Sequence, residues 1–131
     1  MVVDTNILLR VLIVDDPEES RQAQAVLRSD SVVLTIHALC ELDWVLRRLY
    51  KKSRSEVIEI IQALTETQGI VTDSETVHAG MSFLSSGGDF ADGVIERDGR
   101  RLGGQVFATF DKRAAAIIRR SGRAVNLLGR A

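Results

Sequence analysis

The sequence predicts an α/β fold, with a parallel sheet covered by helices on both faces. Short apolar runs that suit buried strands alternate along the chain with longer segments whose apolar residues recur at helical spacing. The length of 131 residues suits one domain, which can bury a core without a disulfide. We therefore expect a single domain over residues 1–131.

The N-terminal half of the chain opens the alternation of strands and helices. We predict strands over residues 2–4, 32–35 and 70–71. We predict helices over residues 7–13, 16–28, 36–50 and from 53 or 55 onward. The second of these has the clearest start, because Asp16 is a favoured N-cap and Pro17 suits the first helical position.

The C-terminal half continues the same pattern. Helices are predicted over residues 74–85, 89–101 and 112–120. Strands are predicted over residues 105–109 and 124–128. The Gly87-Gly88 and Gly103-Gly104 pairs separate these segments as loops.

Four acidic residues fall near strand-to-helix junctions, namely Asp4, Glu41, Asp92 and Asp111. In a parallel α/β sheet the strand ends that lead into helices share one edge, and ligands bind in the crevice there. Carboxylates gathered at that edge repel each other by roughly 4 kcal/mol per close pair. A hard divalent cation with oxygen ligands would resolve that repulsion, so the pattern indicates a metal site.

A structural interpretation competes for the aspartates, because Asp is a favoured N-cap. Asp4, Asp89 and Asp111 all precede helices, and Asp92 lies three residues after Asp89, as in a capping box. Capping is the favoured interpretation for Asp89 and is as well supported as ligation for Asp111. Capping alone does not account for Asp4 or Asp92.

Glu41 lies on the border of an apolar helical stripe, where we expect a half-buried side chain. Trp44 and Val45 follow at the i+3 and i+4 positions, so no basic residue is placed to pair with it. His37 lies one turn earlier, but a zinc site formed by this pair lacks a third nitrogen or sulfur ligand. The lone Cys40 also lies near His37 and is best interpreted as a small buried residue.

Polar neighbours accompany two of the acids. Thr5 and Asn6 follow Asp4, and Thr109 precedes Asp111, so their side chains are candidates to orient a carboxylate or a metal-bound water. Ordinary turn chemistry is the alternative. The chemistry that fits a carboxylate-bound Mg²⁺ is metal-assisted phosphodiester hydrolysis, with one or two ions.

The formal net charge of −1 does not indicate a nucleic-acid-binding protein, but the distribution of charge is uneven. Residues 1–88 carry 8 basic and 13 acidic residues, and residues 89–131 carry 9 basic and 5 acidic residues. Such patches can attract a phosphate backbone, although solvated helix faces explain them as well. The basic residues singled out are Arg97, Arg100, Arg101, Lys112, Arg113, Arg119, Arg120 and Arg123, with a second group at Arg47, Arg48, Lys51, Lys52 and Arg54.

The chain resembles the PIN-domain family, most closely the VapC-type toxins of bacterial toxin–antitoxin pairs. The resemblance is carried in order by Asp4-Thr5-Asn6, Glu41, Phe90-Ala91-Asp92 and Thr109-Phe110-Asp111. It implies a three-layer α/β/α domain with a central five-stranded parallel sheet. Gly93 departs from the family pattern, since a better helix former is common after this aspartate.

The resemblance also implies an activity and its partners. It implies a Mg²⁺- or Mn²⁺-dependent endoribonuclease whose four acids correspond to Asp4, Glu41, Asp92 and Asp111, with Asp89 matching a further acid of many members. Relatives cut structured RNA, often tRNA or rRNA, and form homodimers held inactive by a cognate antitoxin.

Two other functions remain open from the sequence. A non-catalytic module on the same fold would bind RNA or a partner without a metal. A DNA-directed nuclease of the related structure-specific type usually carries extra helical elements. The single cysteine and the absence of a signal-like or membrane-spanning segment lead us to expect a cytoplasmic protein without a membrane partner.

Overall fold

The computed structural model describes residues 1–130, which form two compact units. The N-terminal unit ends at Ser74 and the C-terminal unit begins at Glu75. Each unit contains helices and one parallel pair of strands, which confirms the predicted α/β character. The expectation of one domain over residues 1–131 stays a prediction. Within residues 1–130, no helix is both long and apolar enough to cross a membrane.

The N-terminal unit contains four helices and two short strands. The helices are α1 (Thr5–Leu12), α2 (Pro17–Leu27), α3 (Ile36–Arg48) and α4 (Arg54–Glu66). The strands β1 (Val32–Val33) and β2 (Ile70–Val71) pair in parallel. Val2 adds one isolated parallel bridge to Val33.

Side-chain caps explain where these helices begin. Asp16 accepts hydrogen bonds from the amides of Glu18 and Glu19, and Pro17 occupies the start of α2. Ser53 and Glu56 form a reciprocal capping box at the start of α4. Because each cap satisfies amides that the helix itself leaves unpaired, the sequence determines these starts locally.

Helix packing buries much of the apolar surface of this unit, although Leu49, directly after α3, is 64% exposed. Helix α1 contacts α2 and α3, and α3 contacts α4. Asp43 of α3 is also buried, and Arg47 donates two hydrogen bonds to its carboxylate at 2.7 and 2.8 Å. The buried apolar residues of the helices include Leu8, Leu39, Leu42, Leu46, Val57 and Ile61.

The C-terminal unit contains three helices and the second pair of strands. The helices are α5 (Ser74–Ser85), α6 (Phe90–Arg101) and α7 (Lys112–Arg120). The strands β3 (Val106–Thr109) and β4 (Ala124–Leu127) pair in parallel over their full length. Helix α7 packs on both strands. A small core cluster consists of Phe83, Ala114, Ile117 and Ile118, with Phe107 and Val125 packed against it.

Helices α5 and α6 approach each other closely because two glycines lie between them. A Cβ on Gly80 would lie 2.6 Å from the ring of Phe90, which is fully buried. A Cβ on Gly93 would lie 2.4 Å from the backbone oxygen of Ala79. Gly93, an unfavourable residue for a helix by intrinsic propensity, is thus explained by packing.

A buried acid links α6 to the turn that follows α7. Glu96 is 5% exposed, and its carboxylate accepts hydrogen bonds from Arg100 at 2.6 Å and from Arg123 at 2.8 Å. Arg100 lies one helical turn later on α6, whereas Arg123 precedes β4. This ion pair therefore fixes α6 relative to the last strand.

The expected single five-stranded parallel sheet is not present among residues 1–130. All five predicted strand segments are extended, but they form two separate two-stranded sheets and the bridge at Val2. Strands β1 and β2 have two residues each, and α1 begins at Thr5, directly after Asp4. Segments this short offer few backbone hydrogen bonds with which to extend a sheet.

Candidate metal centre

Three aspartates of the C-terminal unit lie together. Each of Asp89, Asp92 and Asp111 offers a carboxylate oxygen, and these oxygens all lie within 4.8 Å of one another. Asp89 immediately precedes α6, Asp92 lies in the first turn of α6, and Asp111 lies between β3 and α7. The starts of two helices thus bring the three carboxylates to one place.

Asp111 is held by its neighbours in the chain. Its Oδ1 accepts hydrogen bonds from the amides of Arg113 at 2.8 Å and Ala114 at 3.1 Å, so it caps α7. The amide of Asp111 donates to the hydroxyl of Thr109 at 2.9 Å. Because both capping bonds use Oδ1, the cap leaves the second oxygen available to a cation. Capping and ligation are therefore compatible at Asp111.

Asp89 occupies the N-cap position of α6, but its side chain makes no capping hydrogen bond. The favoured interpretation of Asp89 as a side-chain cap is therefore wrong. Its backbone carbonyl accepts from the amide of Asp92 at 3.1 Å, while its carboxylate belongs to the cluster. The sequence signal for metal ligation in place of capping was the presence of two aspartates, Asp89 and Asp92, at the start of one helix.

Asp92 is the least exposed of the three acids. Burial raises the pKa of the Asp92 carboxyl above its usual value, and the nearby charges of Asp89 and Asp111 raise that pKa further. Both effects disfavour the ionised form, the first by removing water and the second by repulsion. A bound cation would oppose both effects, because it favours the carboxylate.

The donor set fits a hard divalent ion. Mg²⁺ binds oxygen ligands at about 2.0–2.1 Å, so two oxygens on one ion lie no more than about 4.2 Å apart. The three aspartate oxygens lie within 4.8 Å of one another, so small side-chain rotations would bring them within that limit. All three donors are carboxylates, which suits Mg²⁺ or Mn²⁺ better than zinc or copper. The cluster fits the ion implied by the sequence resemblance.

The other two predicted acids lie in the N-terminal unit. Asp4 is exposed, and its Oδ1 caps α1 by accepting from the amide of Ile7 at 3.1 Å. Thr5 begins α1, and the exposed Asn6 lines a groove of about 540 Å³ that Asp4 also borders. The participation of Asp4 in the metal centre stays a prediction.

Glu41 is exposed, so the expectation of a half-buried side chain is wrong. Its helical neighbour Trp44 is 53% exposed, which shows that this border of the α3 stripe faces solvent. Water solvates an exposed carboxylate, so the lack of a basic neighbour at Glu41 no longer indicates a ligand. The predicted catalytic role of Glu41 rests on the family resemblance alone and stays a prediction.

The structure divides the eight basic residues singled out in the C-terminal unit into two groups. The first group is engaged in ion pairs with acids of the same unit, namely Arg97, Arg100, Arg101 and Arg123. The second group lies exposed on α7, namely Lys112, Arg113, Arg119 and Arg120. The sequence did not separate these groups, because partners such as Glu75 and Glu96 are distant in the chain from Arg97 and Arg123.

The fold and the cluster define a class of α/β proteins with a group of carboxylates gathered at helix starts. The family model for the PIN domain matches residues 1–119, and the chain belongs to the PIN-domain family. PIN domains are generally metal-dependent nucleases, commonly ribonucleases, that bind the metal through acidic residues. No curated protein and no solved structure shows significant similarity to the chain.

Proposed function

We propose that this protein is a metal-dependent endoribonuclease, the VapC-type toxin of a type II toxin–antitoxin pair. It hydrolyses phosphodiester bonds in structured RNA, such as tRNA or rRNA, and so arrests translation. The observation that carries this proposal is the cluster of Asp89, Asp92 and Asp111 in a chain of the PIN-domain family.

In this proposal the three clustered aspartates hold Mg²⁺ or Mn²⁺. Asp4 is a further ligand, and Glu41 binds the ion or orients the attacking water. A bound ion lowers the pKa of water and neutralises charge on the phosphoryl oxygens.

The neighbouring polar groups support the acids and the substrate. Thr109 positions Asp111 through its hydrogen bond to the Asp111 amide, and Thr5 and Asn6 serve Asp4 in a similar way. The exposed cations of α7 hold the RNA backbone, since α7 begins at the residue after Asp111.

The resemblance to VapC toxins supports three further parts of the proposal. The protein forms a homodimer, a cognate antitoxin holds it inactive, and it acts in the cytoplasm. Co-purification of the protein with its partners from its native cells would identify such an antitoxin.

Cleavage of total RNA by the purified protein, with Mg²⁺ or with EDTA, tests the enzyme proposal. We expect fragments only with the metal, and sequencing of their ends will define the cut site. Asp92→Asn should lower the cleavage rate roughly 100-fold or more, since even residues that only support metal ligands contribute 10- to 100-fold. Asp98→Asn is the matched control, because Asp98 lies on the same helix and pairs with Arg101.

Parental cleavage by Asp92→Asn would overturn the proposed metal chemistry. Binding of RNA without cleavage in the presence of either ion would favour the alternative function, a non-catalytic RNA- or partner-binding module. Cleavage that is lost equally in Asp98→Asn would point to a general structural effect.

A further inference from the structure

The aromatic ring of Phe110 is displayed to solvent beside the acidic cluster. Phe110 is 75% exposed and lies between Thr109 and Asp111. Burying a phenylalanine side chain is favourable by about 1.5–3 kcal/mol, so an exposed ring forgoes much of that gain. Successive side chains of a strand point to opposite faces, and exposure alternates along β3 in this way. Phe107 packs on the core cluster, so Phe110, three residues later, points to the opposite, exposed face.

The backbone on both sides of Phe110 is held in place. The carbonyl of Thr109 accepts from the amide of Leu128 at 2.8 Å, and the side chain of Asp111 caps α7. One edge of the ring lies near Gly129, where a Cβ would be 3.9 Å from the ring Cδ1 atom. The ring is therefore presented from a fixed position at the end of the sheet.

Two cationic residues follow Phe110 closely in the chain, at a place where a helix disfavours them. Lys112 and Arg113 occupy the first turn of α7, although the helix dipole favours acidic residues there by about 0.3–1 kcal/mol each. Lys112 is exposed. Arg113 donates to the carbonyl of Gly87 at 3.2 Å. This placement opposes local preference, so it favours a role in binding an anion.

We propose that Phe110 stacks on an unpaired nucleobase of the RNA substrate, while Lys112 contacts a phosphate of the same strand. The inference rests on the proposed function, because it takes the acidic cluster as the cleavage site. Because Phe110 directly precedes Asp111, one of the three clustered acids, we expect the stacked base to belong to a nucleotide near the cut. Stacking accepts any base, since every base has a π-face.

The same features argue against a protein as the occupant. A stable protein interface buries about 800 Å² on each partner, and the exposed apolar side chains of Phe110 and Leu128 supply only a small part of that area. An aromatic ring with flanking cations matches the way proteins hold single-stranded nucleic acid. The substrate must therefore expose at least one unpaired nucleotide at the cut site.

Fluorescence of 2-aminopurine placed in short single-stranded RNAs tests this subsite. Binding is measured with full-length protein carrying Asp92→Asn, which stops cleavage and removes one negative charge. We expect quenching of the probe at one position, which reports stacking. Adding Phe110→Leu, which keeps apolar volume but removes the π-face, should abolish the quenching and weaken binding roughly 5- to 150-fold.

Two variants control this measurement. Phe110→Trp keeps a π-face and should retain both binding and quenching. Leu102→Ala removes another exposed apolar side chain of the same unit, 90% exposed in the turn after α6, and should change neither. Each position is exposed, so thermal melts should show the fold of all variants unchanged.

The outcomes separate the subsite from the proposed enzyme activity. The single variant Phe110→Leu, which retains Asp92, tests cleavage directly. If it cleaves RNA at the parental rate, the subsite is wrong and the nuclease proposal stands. If the parent binds and quenches RNA through Phe110 but never cleaves it, the subsite stands and the nuclease proposal fails. If Phe110→Leu leaves RNA binding unchanged but alters self-association, the ring is a protein contact and the inference is overturned. A parent protein that binds no RNA would overturn it as well.

Discussion

Gly93→Ala tests the close contact between α5 and α6 that positions Asp92. A Cβ at this position would lie 2.4 Å from the oxygen of Ala79 and 3.0 Å from the Cα of Gly80. Both neighbours are backbone atoms, so relief requires one helix to move by roughly 1 Å to reach ordinary contact. Asp92 is the residue before Gly93 and would move with α6.

The expected free-energy change combines two opposing effects. Alanine in place of glycine in a helix interior stabilises by about 1 kcal/mol. Overpacking against rigid neighbours typically costs about 1–3 kcal/mol and sometimes more, and here the backbone cannot yield as a side chain would. We therefore place the overpacking cost at the upper end of that range, about 2–3 kcal/mol, and expect a net destabilisation of about 1–2 kcal/mol for Gly93→Ala.

Gly99 provides a matched control on the same helix. Nothing lies within 4 Å of a Cβ built at Gly99, so Gly99→Ala should stabilise the protein by about 0.5–1 kcal/mol. At roughly 3–5 °C per kcal/mol for a chain of this size, the two variants should melt roughly 5–15 °C apart.

Thermal denaturation followed by circular dichroism measures this difference. Under the proposed function, RNA cleavage by Gly93→Ala at a temperature well below its melting point should also fall, by about 100-fold, because ligand positions must hold within 1 Å. A Gly93→Ala protein as stable as Gly99→Ala would refute the close approach of the two helices.

Two further predictions concern stability. Because the pKa of Asp92 is raised in the folded state, its ionisation destabilises the fold as pH rises above the unfolded value near 3.8. In EDTA at pH 7, Asp92→Asn should therefore have a higher melting temperature than the parent, and this difference should vanish as pH falls toward 4. A difference in melting temperature that stays constant with pH would contradict this prediction. Arg123→Met should destabilise the protein by about 1–3 kcal/mol in urea, because Glu96 stays buried with one partner. Arg101→Met, whose partner is exposed, should change stability by less than about 0.5 kcal/mol.

Local signals predicted the helices well. The starts at Pro17 and Arg54 follow from caps that act within three residues, so the sequence near each start was sufficient. The bounds of α5 and α7 also agree with the sequence prediction. The sheet was less predictable, because strand pairing depends on residues that are distant in the chain and on segments as short as β1.

The candidate site was predicted in part. The sequence indicated Asp92 and Asp111 because each lies at the start of a predicted helix, after a glycine loop and a strand respectively. The structure places their carboxylates together. Asp89 shows the limit of that reasoning, since an N-cap position does not determine whether the side chain caps. Burial was the other limit, because periodicity placed Glu41 at a border that the structure leaves in solvent.

Long-range ion pairs could not be found from spacing. Asp43 and Arg47 are four residues apart on α3, and that spacing alone could have indicated their pairing. Glu96 and Arg123 are separated by a loop, a strand and a helix. Only the packed unit shows that Arg123 neutralises a buried acid and is thus a poor candidate for binding phosphate.

The strand β4 has a consequence for the choice of fragments. The family match ends at residue 119, whereas β4 runs from Ala124 to Leu127 and Arg123 lies just before it. A chain cut at the end of the match would leave β3 with no neighbour in its sheet and remove one of the two arginines that hold Glu96. A fragment whose end is chosen from the family match alone would therefore lack part of the folded C-terminal unit. A fragment for expression should extend beyond Leu127.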